Sequence, residues 1–233
     1  MCNHYRRSPG VPVAVLLAVL LAVWPAATGA QQPGVHPISG RVYAQPMGVQ
    51  GAPWLERRER DAEEDTELTM RLLGIKKGWT VADVGAGSGY FTLRMAKAVG
   101  EKGAVYATDI QPGMLALLQQ NVARAKAGNV MPVLGVVDDP KLPPASIDLA
   151  LMVDVYHEFS QPQKMLQKLH EALKPGGRLV LVEYRAEDPA VPIRPEHKMT
   201  KAQVKLEVEA EGFKQWRAYD DLPQQHLIIF SRP

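Results

Sequence analysis

Residues 81–90 read Val81-Ala82-Asp83-Val84-Gly85-Ala86-Gly87-Ser88-Gly89-Tyr90. A short β-branched run stops at three alternating glycines, and Tyr90 to Val99 then takes helical spacing. Glycine at a strand-to-helix turn lets the backbone come close to a ligand, and the free N–H groups of the helix start face an anionic end such as a carboxylate. The spacing is G-x-G-x-G. A dinucleotide fold prefers G-x-G-x-x-G with pyrophosphate on the helix N-terminus, so this spacing favours a nucleoside without phosphate over a nicotinamide cofactor. A purely structural tight turn also explains such a loop when it is taken alone.

Downstream, Ala104–Thr108 reads as a strand and 112–127 as a helix with Pro112 in its first turn and Gly128 after its end. Between them stands Asp109, 20 residues beyond Gly89, where an acid in this arrangement accepts the hydroxyls of a ribose. Capping the Pro112 helix is compatible with that role. Strands are expected at 133–137 and 147–153. Asp138-Asp139 follows the first of these, as partners for a purine edge or as a turn pair before Pro140. Ser160 and Gln163 form a capping-box pattern for a helix running to Leu173. Lys174-Pro175-Gly176-Gly177 reads as a turn, Arg178–Glu183 as a buried parallel strand, Thr200 with Gln203 as a second box, and 213–219 with 227–230 as a closing antiparallel pair. Alternating strands and helices predict a doubly wound α/β sheet with its site outside the strand C-termini.

Upstream, Trp54–Asp65 has mixed charges at helical spacing and is expected as a solvated helix, followed by a short Leu68/Leu72/Leu73 face that stops at Gly74. Gln31–Pro53 is rich in Pro and Gly with one charge, Arg41, and is expected as a linker. Arg6-Arg7, the apolar run Val11–Trp24 and the small residues Pro25–Ala30 follow the three-part order of an export signal, so the expected organisation is 1–30 signal peptide, 31–53 linker and 54–233 domain. The protein is thus expected outside the cytosol, in periplasm or medium, with no stable membrane span after cleavage; an uncleaved anchor is the alternative.

The chain has 233 residues and 46% hydrophobic side chains, enough for one sizeable core. Its 27 basic residues include Arg6 and Arg7, and without them 25 basic groups balance 25 acidic ones. A neutral chain without a basic stripe argues against nucleic acid. The lone Cys2 lies in the export segment, so a mature chain offers no disulfide, thiolate metal site or Cys nucleophile.

Together these motifs resemble the class I S-adenosylmethionine-dependent methyltransferases, over roughly Trp54 to Arg232. The resemblance rests on 81–89, on Asp109, on Asp138 through Leu142-Pro143, and on Leu173-Lys174-Pro175-Gly176-Gly177-Arg178-Leu179. The nearest flavour is the small-molecule, quinone-biosynthesis-related group. It implies a mostly parallel, seven-stranded Rossmann-like sheet with a final antiparallel strand, S-adenosylmethionine as cofactor and a small-molecule acceptor. It implies that Gly85, Ala86, Gly87 and Gly89 hold the methionine part, Asp83 supports the loop and the amino group, Asp109 binds the ribose and Ile110 packs on the adenine. Asp138, Asp139 and Asp154 complete the expected cofactor set.

Methyl transfer needs orientation and exclusion of water more than a protein nucleophile. Where the acceptor carries a removable proton, His157 is the expected base, with Tyr156 and Glu158 lining the acceptor. Tyr184, Arg185 and His197, in the polar Pro-rich segment after the fifth strand, are expected to read it. No H-x-x-x-H or comparable spacing joins His157, Glu158, Glu183, His197 and His226, so no metal is expected. A non-catalytic, exported cofactor- or ligand-binding protein on the same fold is the competing reading.

Overall fold

The computed structural model describes Met1 and residues 34–233; residues 2–33, which hold most of the expected export segment, lie outside that description. Seven strands, β1 (Thr80–Val84), β2 (Ala104–Asp109), β3 (Val130–Leu134), β4 (Ile147–Val153), β5 (Leu173–Tyr184), β6 (Lys214–Tyr219) and β7 (Gln225–Ser231), form one sheet in the order β3-β2-β1-β4-β5-β7-β6. β1 pairs in parallel with β2 and β4, and only β7 runs against its neighbours. The strand order reverses between β1 and β4, which opens a crevice at their C-terminal ends.

The helices are α1 (Ala52–Leu55), α2 (Arg60–Glu64), α3 (Thr66–Leu73), α4 (Tyr90–Val99), α5 (Pro112–Ala125), α6 (Pro162–Ala172) and α7 (Lys201–Ala210). They cover both faces of the sheet. The period of two in β1 sends Ala82 and Val84 into a core with residues of α6 and α7, and Val81 into a second core with Phe91, Met95 and Leu118 of α4 and α5. Burial on both faces is why the central strands read as continuous apolar runs.

α4 and β4 take the expected bounds, and α7 closes the expected box, with Thr200 accepting from Gln203 N–H. Other expectations are corrected. β3 lies three residues earlier than 133–137, because Val130 through Leu134 pairs with Val105 through Asp109; Pro132 is tolerated there on an edge strand. No side chain caps α6, whose N-cap is Gln161, since Pro162 in the first turn starts the helix too late for the Ser160–Gln163 box. Lys174–Gly177 belongs to β5 as an irregularity between the Ile147–Leu173 and Leu149–Arg178 pairs. The charged stretch 54–65 is not one solvated helix. It breaks between α1 and α2, Asp65 turns left-handed at φ 43°, and Arg60 and Glu64 are buried against each other at 2.8 Å.

The expected linker is packed onto the domain over its described residues. Its Pro and Gly content prevents regular structure, while Arg41 anchors it: the guanidinium donates to Glu207 of α7 at 2.9 Å and to the His157 carbonyl at 2.9 Å. Ala44 N–H meets the same carbonyl at 3.1 Å, and Ala44 and Ala52 are buried. Among the described residues, no helix is long and apolar enough to cross a membrane.

Candidate active site at the carboxyl ends of the strands

The glycine loop is stitched to the end of β2. Gly85 and Ala86 donate to the Thr108 carbonyl at 2.8 and 3.0 Å. The Asp109 carboxylate accepts from Gly87 N–H at 2.9 Å and from Gln111 N–H at 2.8 Å. Gly85, Gly87 and Gly89 have φ of 74°, 55° and 97°. At Gly85 a Cβ would meet Val155 at 2.4 Å, so the residue type is set by space as well as by backbone. Ile110 stands 40% exposed beside Asp109, an apolar side chain left open at the crevice.

Asp83, behind the loop, receives the Thr92 hydroxyl at 2.5 Å, yet burial pushes its carboxyl up to about 6. Burial likewise raises Asp109, against the opposing pull of its backbone donors. Asp154, at the end of β4, has φ 50°; its Oδ2 accepts from Gln225 at 2.7 Å and its Oδ1 is buried without a partner among the described residues. Burial first, then Glu64 and Glu183, holds Asp154 well above the usual carboxylate range. Carboxylates crowd this end of the sheet, and a cationic ligand would relieve that crowding.

A 3-10 turn, Tyr156–Glu158, follows β4. His157 is 2% exposed; its Nδ1 lies 2.6 Å from Glu183 Oε2, and the other Glu183 oxygen accepts from Tyr156 N–H at 3.0 Å. Its Nε2 faces His197 Nδ1 at 3.1 Å. Glu158 accepts from Met47 N–H at 3.3 Å, and burial raises its carboxyl to about 7. Met47 in turn accepts from the Gln111 side chain at 2.9 Å, which ties this turn to the Asp109 loop. Burial and then His157 lower His197.

Several expected site residues do other work. The Tyr156 side chain is fully buried in the core, edge-on to Phe159 and under the Arg41 guanidinium, and does not line an acceptor. Tyr184 is 3% exposed and its hydroxyl donates to Glu64 at 3.4 Å. Arg185 donates to the carbonyls of Asp220 and Pro223 and pins the loop before β7. Asp139 accepts from Lys141 N–H at 2.7 Å and pairs with its ammonium within its own turn, while Asp138 lies 3.6 Å from Lys164 of α6.

Two contributors were hidden in the sequence. Glu183 read as the end of an apolar strand, although a lone acid in such a run signals a buried partner. Arg41, the one charge of a Pro/Gly-rich stretch, carried the same kind of signal.

The model of a methyltransferase domain matches residues 81–177. The ubiquinone/menaquinone biosynthesis C-methyltransferase of Azotobacter vinelandii is 31% identical over 118 residues, 50% of this chain and 47% of that protein. The demethylmenaquinone methyltransferase of Shouchella clausii is 30% identical over 125 residues, 54% of this chain and 52% of that protein. The chain therefore spans about half the length of the curated relatives it matches. A crystal structure of a SAM-dependent methyltransferase from Aquifex aeolicus superposes with a TM-score of 0.77 at 27% identity, covering 81% of this chain and 100% of that one. Residues 81–177 thus match a methyltransferase domain, and the motif order and sheet topology agree with the fold of the Aquifex aeolicus SAM-dependent methyltransferase.

Proposed function

We propose that this chain transfers a methyl group from S-adenosylmethionine to a small organic acceptor by in-line displacement. The observation that carries the proposal is the Asp109 carboxylate: it is fastened to the glycine loop by Gly87 and to the start of α5 by Gln111, at the strand switch point. The buried, unpartnered Asp154 Oδ1 beside Glu64 and Glu183 fits a ligand that carries ammonium and sulfonium charge. When bound, the cofactor supplies an electrophilic methyl group. In that reading Asp109 holds the ribose hydroxyls, Asp83 and the loop backbone hold the methionine end, and Ile110 covers the adenine.

The acceptor meets the cofactor beside the 3-10 turn, where His157, Glu158 and His197 gather. His157 is the group placed to draw off the acceptor's proton, because Glu183 fixes its Nδ1 and leaves Nε2 toward His197. Met47 N–H and the packed segment around Arg41 hold that turn in place and keep water from one side. The names of the relatives direct the acceptor search first to quinone-like rings. The order of residues 1–30 supports export, which N-terminal sequencing of the mature chain, expected to start after Ala30, checks.

Calorimetric titration of the full chain with S-adenosylmethionine tests the activity reading, beside Asp109→Ala. Micromolar binding that the substitution weakens at least about tenfold is expected, the loss of one charge-assisted contact pair. No binding by folded chain overturns it. Binding with no turnover across a broad acceptor panel would favour the exported binding protein instead.

A further inference from the structure

We infer that His157, Glu158 and His197 form a binding site for one divalent first-row transition ion at the acceptor end of the crevice. One ligand atom from each of the three lies within 4.8 Å of the others. The chain delivers them from two places, the 3-10 turn after β4 and a second 3-10 turn, Pro195–His197, so sequence spacing conceals the group.

Three features of the site point to a cation. Glu183 takes the Nδ1 side of His157 at 2.6 Å, which leaves the Nε2 lone pair for a partner; a carboxylate behind a ligating imidazole is the usual way a metal-binding histidine is oriented. His157 Nε2 and His197 Nδ1 are 3.1 Å apart, and two donors each about 2.1 Å from an ion at that separation subtend about 95°, the cis angle of octahedral coordination. Glu158, a half-buried carboxylate, has one backbone donor at 3.3 Å and otherwise faces the imidazoles. A hydrogen bond from His197 to His157 satisfies the two rings and leaves that carboxylate short of partners, whereas an ion completes all three.

Two histidines and one carboxylate on adjacent positions leave the remaining positions of an octahedral ion free. An oxygen-bearing acceptor can bind there as its anion, its proton going to water. This role rests on the proposed methyl transfer; the binding site itself does not. His157 then acts through the ion, and the carboxylate–imidazole chemistry favours a borderline cation over magnesium or calcium.

The test is a Co2+ titration of the untagged full chain, stripped of metal by chelator and followed by visible absorption. One ion per chain with micromolar affinity is expected, with His197→Ala and Glu158→Gln each weakening it at least about tenfold, the scale of a disturbed ligand shell. His170→Gln, on α6, is expected to leave it unchanged. Circular dichroism shows whether each variant is folded. No Co2+ binding by wild-type chain, or binding that survives the double substitution His197→Ala/Glu158→Gln, overturns the site. Titration of the same samples with S-adenosylmethionine separates the two ideas: cofactor binding without Co2+ binding removes only the metal site, and Co2+ binding without cofactor binding removes only the methyltransferase reading.

Discussion

The Nδ1 of His157, just beyond β4, lies 2.6 Å from Oε2 of Glu183 on the neighbouring strand β5. Parallel pairing of Val153 with Val182 brings the two strand ends level, so the sheet register itself sets this contact. The carboxylate selects which imidazole nitrogen carries the proton and thereby fixes what the other nitrogen can do.

Glu183→Gln replaces that anion by a neutral amide that can also donate, so the imidazole loses its single tautomer. Two-bond proton–nitrogen spectra are expected to show His157 as the Nδ1–H form in the wild type and as a mixture in the variant. Turnover is expected to fall roughly a hundredfold, within the span attributed to a positioned proton-transfer group, while affinity for S-adenosylmethionine falls much less, because Glu183 acts on the cofactor end only through the charge it places beside Asp154.

In the proposed reading, Asp83 makes cofactor binding depend on pH. Burial raises its carboxyl to about 6 in the folded chain, above the 3.8 of the free group. Between those values the folded state binds more protons than the unfolded state, so this group's contribution to stability falls as pH rises through that window. A cationic ligand reverses the preference, because it favours the ionised carboxyl. Affinity for S-adenosylmethionine is expected to rise with pH through about 6 and to flatten above it. Calorimetry at several pH values checks this, and Asp83→Asn should remove most of the slope; an unchanged slope in the variant assigns it elsewhere.

Gly85 couples the loop to the acceptor turn through space. Its φ is 74°, and a Cβ there would lie 2.4 Å from Val155 Cγ2. Gly85→Ala is expected to cost about 1–3 kcal/mol, from backbone strain and overpacking together. Thermal unfolding measures it. The double substitution Gly85→Ala/Val155→Ala should recover the overpacking part and leave the strain, so full recovery would show that φ is not under tension.

Central strands were legible because burial on both faces writes an unbroken apolar run, and the helices on the sheet were legible from their start and stop residues. β3 was misplaced because an edge strand, exposed on one side, carries a weaker pattern; Val136 and Val137 extended the apolar run past its true end at Leu134. The glycine loop and its tie to Asp109 were readable because these residues are close in sequence. The acceptor end was not, since Glu183, His157, His197 and Arg41 meet only through sheet register and long connections. Tyr156 and Tyr184 looked like lining residues because a tyrosine's type does not say which way the strand end turns it.

Arg41 ties residues 34–53 to the domain most directly. Its guanidinium donates to both oxygens of Glu207, at 2.9 and 3.2 Å, and to the carbonyls of His157 and Tyr156, at 2.9 and 3.4 Å. Glu207 is 1% exposed and also meets His36 Nε2 at 3.4 Å. Removing one partner of a buried pair leaves the other charged without compensation, a loss of about 3–5 kcal/mol. Arg41→Met keeps much of the packing against Tyr43 and Tyr156 and removes the charge. Denaturant unfolding is expected to show that loss. The double substitution Arg41→Met/Glu207→Gln should restore a large part of the stability, since no charge then remains buried alone. Methyl transfer should fall in both variants, because the His157 carbonyl has lost its guanidinium donor and the turn that presents the imidazole is free to shift. An Arg41→Met chain that retains wild-type stability and turnover would mean that the segment merely lies against the domain and does not hold its active turn.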